Sequence, residues 1–196
     1  SREKFEDIAE RYGDTKKRLH ILTGDITTPG LVSAEDFKKL KGKIQHLFHL
    51  AAVYDMNMDD ETADRVNNEG TRNVVNFAND LGGDVVLHHV SSVAVAGSEF
   101  VGKFTENMFD EGQSITHPYY RTKYQSEAIV RSEARVPFRV YRPGVVVGHS
   151  QTGEMDKIDG PYYFAKAIQQ VSYKVPKWLP LLGIEGGKVA IAPVDY

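Results

Sequence analysis

Two residues four apart, Tyr119 and Lys123, open the run Thr116 to Arg131, THPYYRTKYQSEAIVR. On a helix that spacing puts both side chains on one face, about one turn apart. A phenol beside an ammonium can donate a proton near neutral pH, because the positive charge stabilises the phenolate. Tyr120 precedes Lys123 by only three residues and lies on a rotated face, so Tyr119 is the better proton donor. Taken alone, the spacing fits better an exposed helix that happens to carry Tyr and Lys. Its chemical meaning depends on what the rest of the chain brings beside it.

Other residues suited to ligand chemistry sit where short apolar runs end. Gly24-Asp25-Ile26 follows Leu19 to Thr23 and offers a carboxylate next to a backbone N–H, a pair suited to adenine. Leu50-Ala51-Ala52 follows Ile44 to Leu50, and its two alanines would let a flat ligand or a pyrophosphate approach the backbone. Ser91-Ser92 closes Val85 to Val90, and a strand-end hydroxyl can meet a carbonyl oxygen. If strand geometry persists the two serines point to opposite faces, so at most one of them serves the site. Pro143-Gly144 follows Phe138 to Tyr141. Asn67, with Gly70-Thr71 behind it, lies within a helical pattern where Asn and Gly are both unfavourable, so it is expected to face a cofactor or fix a water. Each of these has an ordinary alternative, a turn, a cap or a close helix contact.

The elements that would position these residues are read from periodicity. Helical patterns cover Arg2 to Tyr12, a segment capped by Ser33 that runs through Leu40, Asp60 to Leu81, Pro118 to Ala134, and Tyr162 to Val171. The Asp60 helix carries Val66, Gly70, Val74 and Phe77 on one stripe and stops at Gly82-Gly83. The runs Leu19–Thr23, Ile44–Leu50, Val85–Val90, Phe138–Tyr141 and Val189–Ala192 read as strands. Strands alternating with helices imply crossover connections, hence an α/β fold: a doubly wound, mostly parallel Rossmann-type sheet with helices on both faces. In such sheets ligands bind beyond the carboxyl ends of the strands, where the unusual residues fall.

Composition removes several classes of function. The 196 residues carry a net charge of −3 with both signs interspersed, which offers no nucleic-acid surface or basic membrane patch. Cysteine is absent, so disulfides and thiolate chemistry are excluded. No apolar run is long enough to span a bilayer, and the charged, amphipathic start is unlike a signal peptide. A soluble, cytoplasmic protein is the expectation. The seven histidines are not expected to bind metal: His46 and His49, and likewise His88 and His89, fall on opposite faces of their strands. Gly183 to Lys188 has too short a spacing for a phosphate loop, with Val189 where Ser or Thr is needed.

With Ser92, Tyr119 and Lys123 in order, and GDI, LAA, NxxGT and YRPG in their places, the chain resembles the extended short-chain dehydrogenase/reductases. Within that family HPYYRTKYQSE, VPFRVYRPGVVVGHSQTGEMDKIDGPYYF, WLPLLGIEGGK and PVDY look like the reductase domain of bacterial fatty acyl-CoA reductases. The resemblance implies an NADP(H)-dependent reductase, with NAD(H) not excluded, acting on a small-molecule acyl thioester or aldehyde. It implies that Tyr119 is the general acid, that Lys123 holds the nicotinamide ribose and lowers the phenol pKa, and that Ser92 hydrogen-bonds the reacting carbonyl. Lowering a phenol from about 10 to about 7 requires roughly 4 kcal/mol of differential stabilisation.

By the same resemblance Asp25 and Ile26 meet the adenine, Leu50, Ala51, Ala52 and Asn67 line the cofactor path, and Pro143, Gly144 and Val145 border the nicotinamide. Residues 145–196 contribute to the substrate-binding part, with Met155 and Tyr162 in the acyl pocket. One departure stands out: the family's first strand, its Gly-rich phosphate turn and the strand after it are not in this sequence. The expectation is therefore one Rossmann-type domain over residues 1–196 that is an interior portion of a longer chain, with additional domains or a homo-oligomer in the parent protein. A sugar-nucleotide epimerase or dehydratase, and a cofactor-binding regulator without catalysis, remain as alternatives on the same scaffold.

Overall fold

The computed structural model describes residues 19–53, 59–155 and 190–196, together with Glu10, Tyr162, Lys166, Gln169 and Gln170. The helix expected over Arg2 to Tyr12, most of that over Tyr162 to Val171, and the Gly183 to Lys188 segment lie outside the described residues. Two compact units divide the chain, Ser1–Arg142 and Pro143–Tyr196.

In the first unit three parallel strands pair in sequence order: β1 (His46–His49), β2 (Val86–Val90) and β3 (Phe138–Tyr141). Parallel neighbours cannot be joined by a hairpin, so each connection crosses over through helix. Helix α1 (Ala34–Leu40) precedes β1. Its start is built as the sequence implies: Ser33 Oγ accepts from the Asp36 N–H at 3.1 Å, with Glu35 and Asp36 in the first turn. Between β1 and β2 the chain forms α2 (Asp60–Ala63), a π turn (Asp64–Glu69) and α3 (Gly70–Leu81). A short 3-10 turn (Val93–Ala96) follows β2, and α4 (Pro118–Glu133) leads to β3.

The core forms where α3 and α4 meet one face of this sheet. Val74, Val75 and Ala78 of α3 pack with Leu87 of β2 and with Ile129 and Val130 of α4. Phe77, Leu81 and Val85 extend that core toward Phe37 and Leu40 of α1. The two long helices are also tied at their ends, where Asn79 donates to the Glu133 carbonyl at 3.0 Å and accepts from the Arg135 N–H at 2.7 Å. The mostly parallel Rossmann-type arrangement is as expected from the alternation of elements. Among the described residues, the helices that build this core all lie on one face of the three strands.

Three local expectations change. Leu19–Thr23 is irregular and largely exposed, because an apolar run becomes a strand only when another strand pairs with it. The continuous helix expected over Asp60 to Leu81 is interrupted by the π turn, which carries Asn67 and Asn68 inward. Pro143-Gly144 stops β3 as expected, but in the second unit an unexpected strand, β4 (Val145–Val147), follows it and pairs in parallel with β5 (Ile191–Pro193). Gly144 permits this pairing, since a Cβ there would lie 2.3 Å from the Ala190 carbonyl oxygen.

Candidate active site at the exit of the second strand

Helix α4 positions Tyr119 and Lys123. Its N-cap is His117, whose Nδ1 accepts from the Tyr119 N–H at 3.2 Å, and Pro118 takes the first position, where no donor is needed. One turn on, Lys123 is 9% exposed and its ammonium donates to the Val90 carbonyl at 3.4 Å. Val90 is the last residue of β2, so this contact places the cation under the strand exit that leads to Ser92. Burial lowers the Lys123 pKa from its ordinary value. Tyr119 is half-buried and has interactions of its own.

The two serines divide as strand geometry requires. Ser91 is buried, and its hydroxyl donates to Glu127 at 2.7 Å. Ser92 is only partly buried, holds extended backbone and caps the 3-10 turn by accepting from the Ala94 N–H at 3.1 Å. Accepting in that cap leaves the Ser92 hydroxyl proton to be donated elsewhere.

Beneath Lys123 lie two histidines that are both neutral. Burial first, and the Lys123 charge second, lowers His49 to about 4. His89 is lowered to about 3 by burial, then by His49 and Lys123. Thr71 donates its one hydroxyl proton to the Asn67 carbonyl at 2.6 Å, so in the 2.9 Å contact between Thr71 and His49 the proton comes from His49 Nε2. Both ring nitrogens of His89 are buried without a hydrogen-bond partner.

The remaining expected cofactor residues take definite places. Leu50, Ala51 and Ala52 leave β1 as exposed, irregular backbone. Asn67 grips the next residue: its Oδ1 accepts from the Val53 N–H at 2.9 Å and its Nδ2 donates to the Val53 carbonyl at 3.2 Å. Its amide therefore anchors the segment after β1. The π turn makes this possible, and it also lets the Asn67 carbonyl accept from Ser126 at 3.0 Å. Asp25 closes a turn, with Oδ1 accepting from the Thr27 N–H and hydroxyl, each at 2.8 Å. Those bonds lower the Asp25 pKa. Ile26 lies over the start of α3, where a Cβ on Gly70 would come within 3.0 Å of it.

Pro143, Gly144, Val145, Met155 and Tyr162 belong to the second unit. There the Tyr162 phenol accepts from the Gly148 N–H at 2.8 Å, and Met155 is half-buried. Among the described residues no group of three or more His, Cys, Asp or Glu side chains could hold a metal ion. Sequence reasoning missed Glu127 altogether. Burial alone would raise its pKa, but hydrogen bonds from Arg142, Ser91 and Arg131 outweigh burial and hold it below the ordinary value. Its place one turn after Lys123, on the same buried stripe as Tyr119, was the available signal.

The parallel sheet with crossover helices is a Rossmann-type arrangement, shared with the extended short-chain dehydrogenase/reductases. The chain belongs to the NAD-binding oxidoreductase family described as male sterility protein, whose family model matches residues 2–196. It is 28% identical over 170 residues to the aldehyde reductase lnbA of Aspergillus flavus, covering 82% of this chain and 16% of that one. With the fatty acyl-CoA reductase wat of Drosophila melanogaster it shares 24% identity over 221 residues, covering 98% of this chain and 41% of that one. Among solved structures, the terminal R domain from the myxalamid PKS-NRPS biosynthetic pathway superposes with a TM-score of 0.70 at 26% identity, over 88% of this chain and 42% of that one. The chain thus spans less than half the length of each of these relatives. Among the described residues, no helix is long and apolar enough to cross a membrane.

Proposed function

We propose that this domain is the hydride-transfer part of an NADP(H)-dependent reductase acting on a fatty acyl thioester or the corresponding aldehyde. The observation that carries the reading is the buried Lys123 ammonium on the Val90 carbonyl, one turn along α4 from Tyr119 and two residues before Ser92. NADPH supplies the hydride. Ser92 donates its hydroxyl proton to the substrate carbonyl oxygen, and Lys123 holds the ribose and favours the phenolate form of Tyr119. As hydride adds to the carbonyl carbon, Tyr119 gives its proton to the oxygen. With a thioester this yields a hemithioacetal; loss of the thiol breaks the C–S bond and leaves an aldehyde, which a second hydride converts to an alcohol. Asp25 and Ile26 lie on the adenine side and Ala51-Ala52 along the phosphates, while Pro143, Gly144 and Val145 border the nicotinamide. Residues 145–196, Met155 and Tyr162 among them, form the substrate part, and the protein acts in the cytoplasm.

The test is oxidation of NADPH by the full-length protein, followed at the nicotinamide absorbance, with decanoyl-CoA and with decanal. We expect turnover of both, faster with NADPH than with NADH. Tyr119→Phe should lose about 10²–10⁴-fold in rate while still binding cofactor. Wild-type rates in that variant would end the mechanism. A narrower reading, an aldehyde reductase without thioester activity, draws support from the similarity to lnbA. Turnover of decanal but not decanoyl-CoA would select it.

A further inference from the structure

One buried charge takes no part in that chemistry. Glu127 is 0% exposed, one helical turn beyond Lys123, and receives donors from three places. Ser91, at the exit of β2, gives its hydroxyl proton to Oε2 at 2.7 Å. Arg142, at the exit of β3, is bidentate, with Nε on Oε2 at 3.1 Å and Nη2 on Oε1 at 2.5 Å. Arg131, a turn further along α4, donates Nε to Oε1 at 2.8 Å. The same two guanidiniums hold the loop that joins Ser92 to Tyr119. Arg142 Nη1 reaches the Thr105 carbonyl at 3.4 Å and its guanidinium lies 5.3 Å from the Phe104 ring centroid. Arg131 stands 4.9 Å from the Phe109 ring.

We propose that Glu127 is a positioning residue for the reduction, fixing the exits of β2 and β3 against α4 so that Ser92 meets the substrate carbonyl in register with Tyr119 and Lys123. The inference rests on the reading of those three as the catalytic residues. An ion pair buried only for stability is matched or bettered by apolar packing of similar volume. What apolar packing cannot supply is direction: two carboxylate oxygens fix three elements in angle as well as in distance. The Ser91 bond matters most, because Ser91 is the residue immediately before Ser92 and its side chain points to the opposite face. Holding Ser91 sets the backbone from which the Ser92 hydroxyl is presented. A shift of 1 Å there is enough to cost on the order of 10²-fold in rate.

The experiment uses the full-length protein with NADPH and decanal, and compares Ser91→Ala and Glu127→Gln with the parent. We expect kcat to fall about 10–100-fold in each, with the KM for NADPH changed by less than about threefold, and Glu127→Asp to recover little because the shorter side chain cannot reach all three donors. In a Ser92→Ala background the added Ser91→Ala change should cost almost nothing, since the hydroxyl it positions is gone. An equal loss in both backgrounds would make the junction structural and overturn the proposal, as would full kcat in Ser91→Ala. Should Glu127→Gln fail to fold, Ser91→Ala, which removes a single hydroxyl, decides alone. A Ser92→Ala protein at full rate, or a parent inert toward both decanal and decanoyl-CoA, would instead sink the catalytic reading and the junction with it.

Discussion

The two faces of the three-stranded sheet are made from the same kinds of residue and behave differently. Leu47, His49, Leu87, His89 and Phe138 turn toward the helices, where Leu87 and Val130 reach 0% exposure. His46, Phe48, His88 and Tyr141 turn the other way, and Phe48 remains 58% exposed and Tyr141 42%. The adjacent pair His88-His89 shows the consequence within one dipeptide. His89 is buried beside the His49 ring with neither ring nitrogen bonded, whereas His88 is bonded at both, to His46 at 3.0 Å and to Tyr141 at 2.8 Å. Both histidines are buried, but the helices offer His89 no partner, although they give His49 beside it the Thr71 hydroxyl. On the other face neighbouring strands supply the partners themselves.

The largest effect should come from cutting one side chain on each face. Leu87→Ala opens a cavity in the helix-facing core and should lower unfolding stability by about 2–5 kcal/mol. Phe48→Ala removes a ring that water already reaches, and should cost under about 1 kcal/mol. Urea midpoints of the two variants measure the difference. Comparable losses would mean that both faces are buried in the full-length protein.

Acid should then act most clearly on the helix-facing pair, although burial lowers the His88 pKa on the other face too. Folded, His49 and His89 protonate only near about 4 and about 3. Unfolded, both would protonate near about 6.5. Between those limits the unfolded chain binds more protons, so stability is fully present above about pH 6.5 and falls as pH drops toward 4. The slope is about 1.4 kcal/mol per pH unit for each histidine. His89→Leu should remove one share of that slope, and should also relieve two buried, unbonded nitrogens at neutral pH. An acid limb of unchanged steepness in that variant would contradict the assignment.

The helix-facing half of this arrangement was largely legible in the sequence. The stripe Val74, Phe77 and its neighbours, the apolar runs of the three strands, and the spacing of Tyr119 and Lys123 are local patterns, and local patterns survive folding when tertiary packing agrees with them. Alternation along each strand also separated His46 from His49 and His88 from His89. It could not say which histidines would meet across strands, because the His46–His88 contact joins residues 42 apart in the chain. Glu127 was hidden for the same reason: Ser91 lies 36 positions before it and Arg142 15 after. Asn67 stands out of place in a helical pattern, but nothing local reveals the π turn that holds it or the Val53 peptide it grips. Leu19–Thr23 has a strand's composition but, among the described residues, no strand beside it, and Val145–Val147 was obscured by the Pro-Gly before it.

The smallest effect tests whether the opposite face is held by hydrogen bonds or merely by contact. Phe48 stacks on His88 with ring centroids 4.2 Å apart, and His88 lies nearly parallel to Tyr141 at 5.8 Å. Tyr141→Phe keeps the ring and deletes one partner of His88, which is itself only 3% exposed. If the bond matters, stability should fall by about 0.5–1.5 kcal/mol, the ordinary net value of such a bond. The loss should shrink in a Phe48→Ala background, because uncovering His88 lets water replace the phenol. An additive pair of changes would mean that Phe48 covers His88 without excluding water from it. That face would then depend on ring contact alone, and the difference between the two histidines would come wholly from the helices on the other side.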